Sequence, residues 1–286
     1  MKTTSYLLLP IALLVAACGD NLTHPPDRDA GDTTSSGTGG SAFTCLPNLD
    51  GKIDAAELGA AFDVAVNYVV SPVGEDRTVN LAGKSDGKGG VAWDFSPDFA
   101  TDKSLVLTAT RVTGKWYASS FPDGDFASPV DTVGEIYGVY RATDKAISLL
   151  GIASVVEKPK KGKTLLVYDT PIDVYRFPLA PGAAWSTKAN VMMGGMINGL
   201  PYSSIDTYEV KDAAIGSLVL HDLTFEQVHK IETKVTLAPS LGGAAQTTWQ
   251  VGFVSECFGE VARATSHIGE KTADFAKAAE VRHLGQ

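Results

Sequence analysis

GSLVLHDLTFEQVHKIETKV, residues 216–235, carries the pattern that decides the fold. It reads as two strands, Gly216 to Leu220 and Gln227 to Thr236, divided by a polar break. β-Branched and apolar residues dominate both runs, and no helical period competes with them. The same pattern extends in both directions. Upstream, Ala65 to Val70, Arg77 to Ala82, Val91 to Phe95 and Leu105 to Thr110 read as strands, with Lys84 to Gly90 as a hairpin turn. Glu135 to Arg141 and Ala146 to Ile152 flank Thr143-Asp144-Lys145, a second hairpin. Thr164 to Tyr168, Asp173 to Phe177 and Thr207 to Lys211 follow. Downstream come Thr247 to Glu256 and Glu260 to Ser266, and the tail Phe275 to Leu284 reads as a last strand or a helix, with strand the better fit. Short strands at this spacing predict an all-β fold, a mainly antiparallel sandwich or open barrel, with one short N-terminal helix. Residues 44–286 are expected to form this β-rich domain. A break near residues 172–185, around Pro181-Gly182, is a candidate division into two sheets or subdomains.

The N-terminus is of another kind. In MKTTSYLLLPIALLVAACGD, Lys2 precedes an apolar run from Tyr6 to Ala17. A membrane-spanning helix needs about 20 apolar residues, so this run fits a secretory signal better than a transmembrane segment. Leu14-Val15-Ala16-Ala17-Cys18 resembles the lipobox of bacterial lipoproteins. That resemblance implies removal of residues 1–17, a diacylglyceryl group on the Cys18 thiol and acylation of the new N-terminus. Gly19, standing where a retaining aspartate would otherwise be, implies the outer membrane, facing periplasm or exterior. Residues 18–43 are rich in Gly, Ser, Thr, Asp and Pro, too polar to bury a core, and read as a disordered tether.

The formal net charge is −9. It argues against nucleic acid as a partner, whose phosphates demand a basic surface, and disfavours peripheral binding to anionic lipid through charge. Lys158-Pro159-Lys160-Lys161-Gly162-Lys163 reads as a solvated loop. With Cys18 acylated, Cys45 and Cys257 remain, and an even pair in an oxidising compartment predicts a disulfide.

CLPNLDGKIDAAEL, residues 45–58, admits two readings. It resembles a degenerate EF-hand or dockerin-type half-loop, which implies calcium on Asn48, Asp50, the Lys52 carbonyl, Asp54 and Glu57, with Gly51 at the turn. The departure is Leu46 at the first ligand position, which offers no side-chain oxygen. The other reading is a turn at Asn48 to Gly51, then Asp54 as N-cap with Glu57 completing a capping box for a helix from Ala55 to Phe62.

YRFPLAPGAAWS, DTYEV and FVSECFGEVARATS resemble a recurrent strand-and-turn pattern of uncharacterised bacterial secreted proteins and lipoproteins, over residues 173–284. It implies a β-domain, and it brings no enzymatic activity with it. The chain carries no HExxH, GxSxG, Walker or CxxC motif. His221 and His229 sit on adjacent predicted strands without metal spacing. Met192-Met193-Gly194-Gly195-Met196 resembles a thioether cluster for Cu(I), or a mobile apolar loop. Asp123-Gly124-Asp125, after Trp116, Tyr117 and Phe121, reads as a tight turn rather than a glycan site.

The expectation is a lipid-anchored, non-catalytic binding or structural module of the cell envelope, with no cofactor other than calcium as an alternative. Its partners would be the membrane, through the anchor, and an envelope protein, a polymer or an apolar ligand. The rivals are a carrier holding an apolar ligand in a half-open barrel, a weak calcium binder and a hydrolase.

Overall fold

A computed structural model describes residues 45–58, 62–87, 90–240 and 242–285. The signal segment, Cys18 and the tether lie outside these. In chain order the strands are β1 (Ala65–Val70), β2 (Arg77–Thr78), β3 (Lys84–Ser85), β4 (Val91–Asp94), β5 (Lys103–Thr108) and β6 (Thr110–Arg111). Next are β7 (Phe126–Pro129), β8 (Ile136–Ala142), β9 (Ala146–Ser154), β10 (Leu165–Arg176), β11 (Ala184–Asn190) and β12 (Met196–Ile197). The last are β13 (Leu200–Pro201), β14 (Ser204–Val219), β15 (Thr224–Pro239), β16 (Gln246–Ser255), β17 (Gly259–Ser266) and β18 (Lys277–Leu284).

The opening stretch forms the turn of the β14–β15 hairpin, the longest pairing in the molecule. Far from the turn, β14 alternates strictly. Ser204, Asp206, Tyr208, Val210 and Asp212 point inward, while Glu209 reaches across the outer face to Lys234 at 2.7 Å. Around this hairpin an 11-stranded sheet runs β3-β4-β14-β15-β16-β17-β18-β1-β5, with β11 on β14 and β2 on β18. All its pairings are antiparallel except β4 with β14. A 7-stranded antiparallel sheet runs β13-β12-β10-β9-β8-β7-β6. The chain leaves the smaller sheet after β10, at Arg176, and enters the larger one at β11, at Ala184, so residues 172–176 and 184–185 are strand.

The two sheets form a sandwich. Phe126, Tyr140, Leu149, Ile152, Tyr168 and Tyr175 of the smaller sheet share a core with Tyr208, Val210, Ile231, Val235 and Val254 of the larger. A second core fills the other face of the larger sheet, where Trp93 and Phe95 each lie 5.1 Å from Phe253. The outer face of the smaller sheet is covered by Val112, Tyr117 and Phe121. That layering explains AISLLGIAS in β9: a strand covered on both faces reads as a continuous apolar run, not an alternating one.

Three expectations need correction. Thr164 to Tyr168 and Asp173 to Phe177 are one strand, β10, whose register slips between Val167 and Ile172. Thr207 to Lys211 and Gly216 to Leu220 are likewise one strand, β14, with a slip between Asp212 and Ala214. In both, a β-bulge absorbs residues that read as a break. The helix expected from Ala55 to Phe62 is a single 3-10 turn, Ala55–Leu58. Residues 59–61 lie outside the described chain, and Phe62 is drawn into a bridge with Ala109, its ring 5.9 Å from Phe126.

Candidate functional site

Two regions concentrate polar chemistry: the clamp where the described chain begins, and a charged network between the sheets.

The clamp is built from residues 45–58. Cys45 and Cys257 form a disulfide with Cα atoms 5.5 Å apart, joining this segment to the β16–β17 turn. The Asn48 carbonyl of its side chain accepts the Asp50 N–H at 2.8 Å, and the Asp50 carboxylate accepts the Lys52 N–H at 2.9 Å. These are successive Asx turns, and Gly51 takes φ +81° between them. Glu57 accepts the Asp54 N–H at 2.8 Å, half of the predicted capping box, and the Asn48 side-chain amide at 2.5 Å. The buried Glu256 accepts the N–H groups of Asn48 and Leu49 at 2.8 and 3.1 Å. Backbone bonds complete the attachment, Cys257 N–H to Glu57 and a reciprocal pair between Ile53 and Leu179. Burial raises the Glu57 pKa; the Asp54 N–H opposes this, and the carboxylates of Glu256, Asp54 and Asp50 add to it.

Asn48, Asp50 and Glu57 are thus brought together, but each directs an oxygen at an N–H donor. Leu46 is 82% exposed. Among the described residues, no three His, Cys, Asp or Glu side chains converge in a metal-holding group. Cation binding would have to displace these hydrogen bonds, with one ligand position lacking. Millimolar calcium is therefore expected to leave the melting temperature unchanged and to give no calorimetric heat. A calcium-dependent rise in melting temperature, abolished by Glu57→Gln, would contradict this.

Beneath the clamp, His229 Nδ1 lies 2.6 Å from the Asp212 carboxylate, both side chains fully enclosed. His221 is instead exposed, 3.1 Å from Asp98. Each histidine has its own carboxylate partner. Met193 is fully exposed whereas Met196 is half-buried in β12, so the thioethers do not share an environment. Trp116, Tyr117 and Phe121 pack inward as a cover of the smaller sheet, and Asp125 accepts the Ala142 N–H at 2.8 Å. These aromatics and carboxylates stabilise a turn.

Sequence reasoning did not anticipate the network between the sheets. Val261 of β17 has no partner, since Phe253 pairs with Ala262 and Val254 with Glu260. This bulge turns Glu260 and Arg263 onto one face although they are three residues apart. Glu260 holds Arg263 with one carboxylate oxygen and Arg282 with the other, the latter at 2.6 Å. Arg263 also donates to Gln250 at 3.1 Å, and Tyr68 donates to the Glu260 backbone carbonyl at 2.6 Å. Gly252 makes the arrangement possible. A Cβ there would stand 2.9 Å from the Glu260 carboxylate, which lies over the strand.

Glu280 and Asp131 complete the charged end of the sandwich. Burial raises the pKa of both; Arg282 and Arg263 pull Glu280 back, and backbone N–H groups of Ile136 and Glu135 pull Asp131 back. Glu280 is part-exposed as a residue, but its Oε1 is sealed and has no hydrogen-bond partner among the described residues. The folded state thus holds a proton on Glu280 more tightly than the unfolded chain does. Its contribution to stability is fully present below the ordinary carboxylate pKa and is lost as pH rises through the folded value. Glu280→Gln keeps a neutral group at every pH. Thermal melts are expected to show it more stable than wild type near about pH 7, with the gain fading towards about pH 4. An equal effect at both values would contradict the assignment.

Cavities beside these groups are small. One of about 20 Å³ is lined by Gln250, Gly252, Glu260 and Arg263. One of about 50 Å³ lies by Arg77, Asp94 and Phe99. One of about 40 Å³ lies by Tyr168, Tyr202, Asp206 and Tyr208. Each has room for one to a few waters, far below the roughly 300–1,000 Å³ of a small-molecule site. No protein-family model, curated protein or solved structure matches this chain.

Proposed function

We propose that this chain is a lipid-anchored protein of the cell envelope whose β-sandwich serves as a rigid, non-catalytic binding module. The Cys45–Cys257 disulfide carries the reading. Such bridges persist in oxidising compartments outside the cytosol, and this one sits where the tether would enter the folded domain. Pull on an anchor at Cys18 would be taken up by the disulfide and the Glu256 clamp rather than by peeling of strands. The small cavities favour a module that binds with its surface over a carrier with an internal ligand.

The test is fractionation of cells expressing the wild type and Cys18→Ser. The wild type is expected in the membrane fraction, released by detergent and not by salt or alkali. It should take up labelled fatty acid, and Cys18→Ser should not. Incorporation of label by the serine variant, or a wild type recovered unlabelled from the cytosol, overturns the proposal.

A further inference from the structure

The end of the sandwich opposite the clamp carries an unusual surface. Ile136, Ser154, Leu165 and Met196 are linked across neighbouring strands, so the loops beyond them emerge side by side. These loops cover residues 131–135 and 155–163 and the β12–β13 turn at 198–199, and the turn at 192–195, where the chain enters β12, flanks them at the edge of the sheet. They are also bonded to one another. Val155 N–H donates to the Glu135 carbonyl at 2.9 Å, and Gly199 N–H to the Lys163 carbonyl at 2.8 Å. Lys161 pairs with Glu135 at 2.7 Å. On this crown Val133, Val156, Met192, Met193 and Leu200 are all more than half exposed, Met193 completely. Lysines 158, 160 and 161 stand exposed among them, together with Glu157, while the Asp131 carboxylate is turned in on the Glu135 and Ile136 N–H groups.

Apolar tips rimmed by lysines match the chemistry of a bilayer interface, where methylenes enter the acyl boundary and ammonium groups meet anionic headgroups. The net charge of −9 disfavours such binding overall, but screening limits it to about 8–10 Å and the crown's exposed lysines are local. Reach is sufficient as well. The 12-residue β10 spans about 40 Å between clamp and crown. Residues 19–43, as an extended chain, span up to about 85 Å. We infer that the crown is a second membrane contact, docking on anionic phospholipid and laying the sandwich against the bilayer that holds the anchor. The inference rests on the anchored reading above.

The test uses the exported, acylated protein carrying Met193→Cys. Cys45 and Cys257 are bridged and Cys18 is acylated, so an environment-sensitive fluorophore labels position 193 alone. The protein is reconstituted in vesicles of phosphatidylethanolamine with phosphatidylglycerol, or of phosphatidylcholine. The expected result is co-flotation with both, with a blue-shifted probe quenched by bromolipid only where phosphatidylglycerol is present. Reversing charge at Lys158, Lys160 and Lys161 to Glu should weaken the docked state at least about a hundredfold, since each lysine near an anionic surface contributes roughly fivefold. Co-flotation with a probe that stays water-like overturns the crown contact and leaves the anchor standing. Failure to co-float overturns both. A blue shift that needs no vesicles and grows with protein concentration assigns the crown to self-association and also overturns the inference.

Discussion

Glu260→Ala is expected to destabilise the domain by about 3–5 kcal/mol, the cost of leaving buried charge without its partner. One carboxylate holds both Arg263 and Arg282, whose side chains are 7% and 1% exposed. Removing it leaves two guanidinium groups enclosed between the sheets, facing each other across β17 and β18, where Arg263 pairs with Arg282. Arg282 already has Nε without a hydrogen-bond partner among the described residues, and its guanidinium otherwise lies over the Tyr68 ring, 5.9 Å from the centroid. For a domain of this size each kcal/mol moves the melting temperature by about 2–4 °C, giving a fall of roughly 6–20 °C in thermal denaturation. The comparison that isolates the cause replaces all three charges with apolar residues of similar volume. Glu260→Leu with Arg263→Met and Arg282→Met should cost less than Glu260→Ala alone, because no unpaired charge remains. A triple variant much weaker than the single one would show that the network stabilises beyond mutual compensation.

Removal of the disulfide, by Cys45→Ser with Cys257→Ser, is expected to cost about 5 kcal/mol in the chain-entropy account of cross-links. The bridge closes a loop with a sequence separation of 212, so it restricts nearly the whole unfolded domain. The effect on the folded side is local. Without the bridge, residues 45–58 remain attached through the Glu256 bonds and the Ile53–Leu179 pair. The double variant should therefore lose a large part of its thermal stability yet keep the strand content of the wild type by circular dichroism. Within the folded domain, limited proteolysis should cut it first in residues 45–58. An unchanged melting temperature, with two reactive thiols in the wild type, would contradict the assignment.

Much of the fold was legible in the sequence because strand signals are local. Ala65–Val70 was placed to the residue, and the Thr143 to Lys145 hairpin joins β8 to β9 as read. What failed was continuity. Thr170-Pro171 and Asp212-Ala213-Ala214 look like strand ends, yet the sheet carries them through as bulges, which depend on the neighbouring strand. AWSTKAN, β11, carries no strand assignment in the sequence because its partner, β14, lies in the other sheet from β10 and supplies the order. In the clamp, the Asn48-to-Gly51 turn and the Glu57 cap were visible, as was the cysteine pair. The anchoring carboxylate of Glu256 was not, since it lies 208 residues away from Asn48. The Glu260 network left a trace, charges at Glu260, Arg263, Glu280 and Arg282 inside apolar strands. Its spacing of three in β17 fits neither strand period nor a motif until the bulge at Val261 is known.

Mass spectrometry of the N-terminal peptide of the mature protein, isolated from membranes, decides whether the chain is anchored. The account predicts a chain starting at Cys18 and heavier than its sequence by a diacylglyceryl group and an N-linked acyl chain. An N-terminus at any other residue, or an unmodified Cys18 thiol, would contradict it.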